Sequence, residues 1–180
     1  DLIVCEVCGE VFLGGYRVSK KIGATHFEVL TCDQPDLEKM PDQTSIIKTY
    51  QKYALFWPLG TQSCTKIKPE DEEYQVNYVK RRWKPARFNV FSGALRQDCS
   101  PPGANEISGW LYVIAGDNPD EPAMPIKCPR CGSDYRSKLV SSPLRNHRTG
   151  FQKACQVLAG ALFREMSPIH LSPKLVIFSD

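Results

Sequence analysis

"IKCPRCGSDYR", residues 126–136, decides how this chain is read. Two cysteines separated by two residues supply half of a tetrahedral metal site, because the CxxC turn holds two thiolates at the spacing an ion needs. The matching half is "LIVCEVCGEVF", residues 2–12, where Cys5 and Cys8 answer Cys128 and Cys131, and Gly9 answers Gly132. Glycine in that place accepts a left-handed backbone and lets amide N–H groups turn back toward sulfur. Four thiolates fill every tetrahedral position of a zinc ion and leave none for water or substrate. One structural zinc ion is therefore expected, with Lys127 and Arg130 beside the second pair offsetting the negative charge of the thiolates.

Two other uses of cysteine fit the pattern less well. A redox CxxC, as in thioredoxin-like folds, comes as a single motif opening a helix, whereas here two matched motifs occur. A disulfide framework belongs to small secreted chains with a secretion signal. Of the eight cysteines, four are paired and four are scattered singly. The pattern favours metal, and with it a reducing, cytoplasmic compartment.

Zinc ribbons usually separate their pairs by about 15–20 residues, but here residues 9–127 intervene. Stapling both ends of so long an excursion removes loop entropy. The excursion should leave and rejoin its host at nearly one point, as an insertion between larger domains would.

Length and composition add bounds. At 180 residues the chain suits about one domain with its own core. A formal net charge of +3 is too slight to diagnose nucleic-acid binding by itself. No apolar run approaches the roughly 20 residues of a membrane span, and no targeting pattern opens the chain, so no membrane partner is expected. The start without Met and the stop within "KLVIFSD" read as a piece of a longer protein.

Along the excursion, residues 2–4, 11–18 and 26–31 read as strands and 33–45 as loop. "IIKTYQKYALFWP" begins with helical spacing and ends as a strand closed by Pro58. From Tyr74 to Leu95 two strands are expected, and "GWLYVIAG" is a strand ended by turn signals. Gly14-Gly15 reads as a plain turn and not a phosphate loop. After the second knuckle the pattern changes: "RTGFQKACQVLAGALFREM" predicts a helix, with Thr149 as N-cap and Gln152 three residues on. "KLVIFS" then predicts a buried parallel strand. The fold expected is α+β: a mainly β, zinc-ribbon-like module over 1–140, then a helix and strand over 141–180.

"SPLRNHRTGFQKACQVLAGALFRE" and the following "KLVIFSD" resemble superfamily 2 DEAD/DEAH-box helicases. In that family a CPxCG knuckle precedes an SPxRxxRTGF segment and a helix, and the next strand opens the second RecA-like motor domain. The resemblance covers the chain from Lys127 onward and, more weakly, the first knuckle. It implies a module beside the motor lobes, with the remaining helicase domains as partners in cis, and it carries a family-level hint of anti-phage defence or repair. No GxxxxGK[ST] loop or Asp-Glu box occurs, so ATP and magnesium belong only to the parent protein.

"VKRRWKPARF" places Lys80, Arg81, Arg82, Lys84 and Arg87 among Trp83 and Phe88. Cations neutralise phosphates and aromatic rings stack on unpaired bases. The plain alternative is a charged edge strand with Trp83 turned inward. Arg145, His147 and Arg148 precede the expected helix, where N-terminal amides favour anions; the alternative there is a rim between module and motor. Nucleic acid, DNA in preference to RNA, is the expected partner, through Lys80, Arg81, Arg82, Trp83, Lys84, Arg87, Arg145 and Arg148. A partner subunit docked by the β body is the other reading. A second metal site from Cys32, Cys64, Cys99 and His26 lacks local pairing, Cys155 reads as core, and a cysteine nucleophile has no histidine at a supporting spacing.

Overall fold

Alternating apolar and polar residues, punctuated by Gly, Pro and Asn turns, give a chain of strands. The computed structural model describes residues 1–22, 25–31, 48–60, 64, 66–116, 120–138 and 141–146. The strands are β1 (Leu2–Cys5), β2 (Val11–Ile22), β3 (Thr25–Thr31), β4 (Tyr53–Pro58), β5 (Glu73–Val76), β6 (Val79–Asn89), β7 (Ala94–Arg96), β8 (Glu106–Ile114) and β9 (Leu144–Asn146). The chain divides into two units, Asp1–Asn146 and His147–Asp180. Every described residue falls in the first.

Six strands close on themselves in the order β2–β3–β7–β6–β8–β4 and back to β2, every pair antiparallel. Closure leaves these six without a free edge. Two long strands run past the ring. The first residues of β2 pair with β1 (Val4↔Val11), and β1 pairs with β9 (Cys5↔Leu144). The first residues of β6 pair with β5 (Glu73↔Arg82).

Side-chain alternation sorts the core into two clusters. The barrel interior takes Leu13, Leu30, Ala54, Phe56, Ala86, Phe88, Leu95 and Leu111, with at least one residue from each ring strand. The outer face of β4, β6 and β8 carries Tyr53, Leu55, Trp57, Trp83, Trp110 and Tyr112, packed with Ile3, Phe12, Cys5, Cys128 and Leu144. Large aromatic side chains bury roughly 150–250 Å² each. This outer cluster therefore fastens both cysteine knuckles to the barrel wall. β4 is buried on both faces, which is why "YALFW" reads as a continuous apolar run.

The expected α+β, zinc-ribbon-like fold is corrected. The described residues are all β, without a helix, and their organising feature is the closed barrel, with the knuckles attached to it. The helix expected over 148–166 and the strand over 174–179 lie outside the described residues. Tyr74–Leu95 makes parts of three strands instead of two, because Asn77-Tyr78 turns the chain early. Residues 48–52 form a bridge, Thr49↔Pro122, and a turn in place of the helical start. Gly14 and Gly15 sit inside β2, not at a turn: a Cβ on Gly14 would meet Tyr53 Oη at 2.0 Å, and one on Gly15 would meet Leu30 Cβ at 2.9 Å. Among the described residues, no helix is long and apolar enough to cross a membrane.

Candidate metal centre

Each CxxC sits at the tip of a small turn closed the same way. The Cys5 amide donates to Glu10 O (2.9 Å) and the Gly9 amide to Cys5 O (2.9 Å). In the second knuckle the Cys128 amide donates to Ser133 O (3.0 Å) and the Gly132 amide to Cys128 O (3.0 Å). Gly9 and Gly132 hold φ of 76° and 68°, the left-handed region that glycine enters without a Cβ clash.

The two tips meet. The sulfur atoms of Cys5, Cys8, Cys128 and Cys131 all lie within 4.8 Å of one another, and Cys8 Sγ is 3.9 Å from Cys128 Sγ. Four sulfurs at Zn–S of about 2.3 Å on a tetrahedron stand about 3.8 Å apart, so the spacing suits one metal ion. Cys5 and Cys128 are buried, while Cys8 and Cys131 face solvent.

Burial pushes the Cys128 thiol up, and burial likewise raises Cys8 to about 11. Partial burial also works against ionisation of Cys131, but hydrogen bonds from the Ser133 side chain and backbone outweigh it and lower that thiol to about 7. Ser133 Oγ lies 3.1 Å from Cys131 Sγ. A metal binds thiolate, so a cation must displace protons from the two raised thiols. Amides of Arg130 and Cys131 turned toward the Cys128 sulfur favour that ionised form.

The knuckles are also joined without metal. Glu6, at the first tip, accepts from the Tyr135 hydroxyl (2.7 Å) and from Arg145 Nε (3.0 Å), while its amide donates to Pro143 O (3.0 Å). The Tyr135 hydrogen bond first, and then Arg145, hold the Glu6 carboxyl below its usual range. Sequence reading passed over Glu6, and nothing in its spacing singles it out. Lys127 pairs with Asp71, and Arg130 Nε lies 3.7 Å from Glu10 Oε2. Both cations expected to offset thiolate charge thus have carboxylate partners of their own.

The residues read as nucleic-acid contacts are dispersed by strand alternation. Trp83 is 3% exposed, its ring 5.2 Å from that of Tyr112 and 6.2 Å from that of Phe12, so the stacking role expected of it gives way to a core role. Arg81 is buried and paired with Glu121. Arg87 binds Asp98 through Nε and Nη2 and Glu106 through Nη1. Lys80 is exposed, 3.7 Å from Glu73. Arg82 and Lys84 are half-buried on the opposite face of β6 from Trp83. Arg145 is engaged by Glu6, and Arg148 and His147 lie outside the described residues. The basic stripe is thus not one surface.

Cys64 is buried beside Cys99 and donates to Gly109 O at 3.3 Å. Among the described residues, no second group of three or more metal-type ligands gathers. Comparison of the chain with family models, with curated proteins and with solved structures returns no match.

Proposed function

We propose that this chain is the non-motor, zinc-stapled module of an ATP-dependent superfamily 2 helicase, positioning nucleic acid relative to the motor in a cytoplasmic setting. One observation carries the reading: cysteine pairs at opposite ends of the barrel-forming excursion, 120 positions apart for Cys8 and Cys128, come together at one point. Neighbouring ends are what an insertion beside a larger machine requires, and their meeting supports that reading. The motif resemblance from Lys127 onward supports reading that machine as a helicase.

Zinc fits the four thiols better than magnesium or calcium, which take oxygen ligands. Held by Cys5, Cys8, Cys128 and Cys131, it would fix geometry and take no part in a reaction, since no coordination position is left open. The module has no ATP chemistry of its own; that belongs to the parent.

The test is binding of labelled single-stranded and duplex DNA and RNA by the metal-loaded chain across a salt series. Phosphate contact makes affinity fall steeply with salt. No binding even at low salt would remove the nucleic-acid half of the proposal. A second reading, a docking module for a partner protein, draws on Val90 and Phe91, 51% and 82% exposed at the β6–β7 turn. Absence of nucleic-acid binding at every salt concentration would favour it.

A further inference from the structure

β5 and β6 are joined by the two-residue turn Asn77-Tyr78, with Val76 facing Val79 across its mouth. Both turn residues have positive φ, 49° and 66°. Such turns accept Asn first and prefer Gly second. A bulky side chain held left-handed costs about 1–2 kcal/mol. Tyr78 is 96% exposed, so no packing offsets that cost. An aromatic ring held in solvent on a strained turn is a feature that folding alone does not explain.

The same turn borders a cavity of about 320 Å³, lined by Asn77, Ile126, Tyr135, Arg136, Lys138 and Ser141. Among the described lining residues none is a carboxylate, although Asp134 pairs with Arg136 and Glu6 accepts from the Tyr135 hydroxyl. Lys138 Nζ sits 3.6 Å from the centre of the Tyr135 ring, and its charge adds to the Tyr135 and Arg145 hydrogen bonds that hold the nearby Glu6 carboxyl below its usual range. Arg136 is oriented in advance: its Nε and Nη2 donate to Asp134 Oδ2 at 2.8 and 2.6 Å, fixing the plane of the guanidinium. Asn77 and Ser141 add neutral hydrogen-bonding groups. Arg136 commits Nε and Nη2 to Asp134, which leaves its Nη1, Lys138 and the neutral groups of Asn77 and Ser141 as the donors that face an anion in the cleft.

We propose that this cleft holds the phosphate backbone of a single-stranded nucleic acid, with an unpaired base stacked on Tyr78. The inference rests on the nucleic-acid reading above and assigns it to residues outside the basic stripe of β6. Duplex offers phosphates but keeps its bases stacked inside, so it can use Lys138 and Arg136 and not Tyr78.

The test is fluorescence anisotropy of a short labelled oligothymidylate with the full, metal-loaded chain at low salt, against Tyr78→Gly and Lys138→Ala. Tyr78→Gly relieves the positive φ, so its thermal midpoint should hold or rise while affinity falls roughly 5- to 150-fold, the range of one lost base stack. Lys138→Ala should reduce the slope of log affinity against log salt by about 0.7, one phosphate's worth on a single strand. Wild-type binding that Tyr78→Gly leaves unchanged would overturn the cleft while sparing the wider nucleic-acid reading. Equal affinity for duplex would overturn the stacking. Absence of wild-type binding would sink the cleft and the nucleic-acid reading together, whereas the metal staple is judged separately by metal content.

Discussion

Arg81 Nη2 donates to Glu121 Oε2 at 2.6 Å, with the two side chains only 5% and 14% exposed, and Arg81 Nη1 reaches the Tyr112 hydroxyl at 3.3 Å. A cation that sequence reading aims at phosphate is the tie between β6 and the segment entering the second knuckle. Removing one member of a buried pair leaves the other charge without compensation, at a cost of about 3–5 kcal/mol. Arg81→Ala should lose stability on that scale in urea unfolding. The double change Arg81→Met with Glu121→Leu should recover most of it. A loss under about 1 kcal/mol, the scale of a surface pair, would show that water reaches the pair.

The staple makes a second prediction. Closing a loop of roughly a hundred residues stabilises by about 4–5 kcal/mol in the chain-entropy picture. Elemental analysis should find about one zinc per chain, and Cys128→Ser should abolish it. At about 2–4 °C per kcal/mol for a chain of this size, stripping the metal should lower the thermal midpoint by about 8–20 °C. A metal-free chain melting at the same temperature would show that the outer aromatic cluster and the Glu6 contacts hold the tips unaided.

Gly109 on β8 makes the tightest approach to another strand's backbone among the described glycines. A Cβ there would meet Trp57 O at 2.2 Å and Phe56 Cζ at 2.4 Å, and the backbone oxygen cannot rotate away. Gly109→Ala should cost about 1–3 kcal/mol, as overpacking does. Gly60→Ala has open space around its Cβ but a positive φ of 63°, so it tests backbone strain without a clash. Comparable chevron and urea data for the two would mean that the β4–β8 contact is looser than these distances require.

Asp98 gives a pH dependence with a definite sign. The hydrogen bond from Arg87 outweighs burial and lowers its carboxyl from 3.8 to about 2. A folded-state value below the unfolded one stabilises above about pH 4, and that stabilisation disappears as pH falls toward 2. The stability gap between wild type and Asp98→Asn should therefore be present at pH 6 and vanish near pH 2. A gap constant over that range would remove Asp98 ionisation as its cause.

Much of the local pattern was legible. The doubled CxxC-Gly pattern predicts two like turns, and both glycines take the left-handed backbone it calls for. "HFEVLT" alternates and "GWLYVIAG" runs apolar; the first lies in β3, and the second lies in β8 as far as Ile114. Less was legible where a residue's partner lies far along the chain. The stripe "VKRRWKPARF" looks like one basic surface because all its cations are near in sequence. A strand of period two sends Trp83 into the outer core, Phe88 into the barrel, and Arg81 and Arg87 toward acids at Glu121, Asp98 and Glu106.

The amino-acid order alone determined that two thiol pairs exist, which segments prefer extended backbone, and where glycine must bend the chain. These depend on spacing and on dihedral preferences of neighbouring residues. Only the tertiary structure decided that six strands close into a ring and that the cation stripe is divided among separate partners. Only it decided, too, that the exposed Tyr78 stands beside a cleft lined by Arg136 and Lys138. Those outcomes depend on strand register across the sheet, where a shift of one residue would exchange the buried and solvent faces.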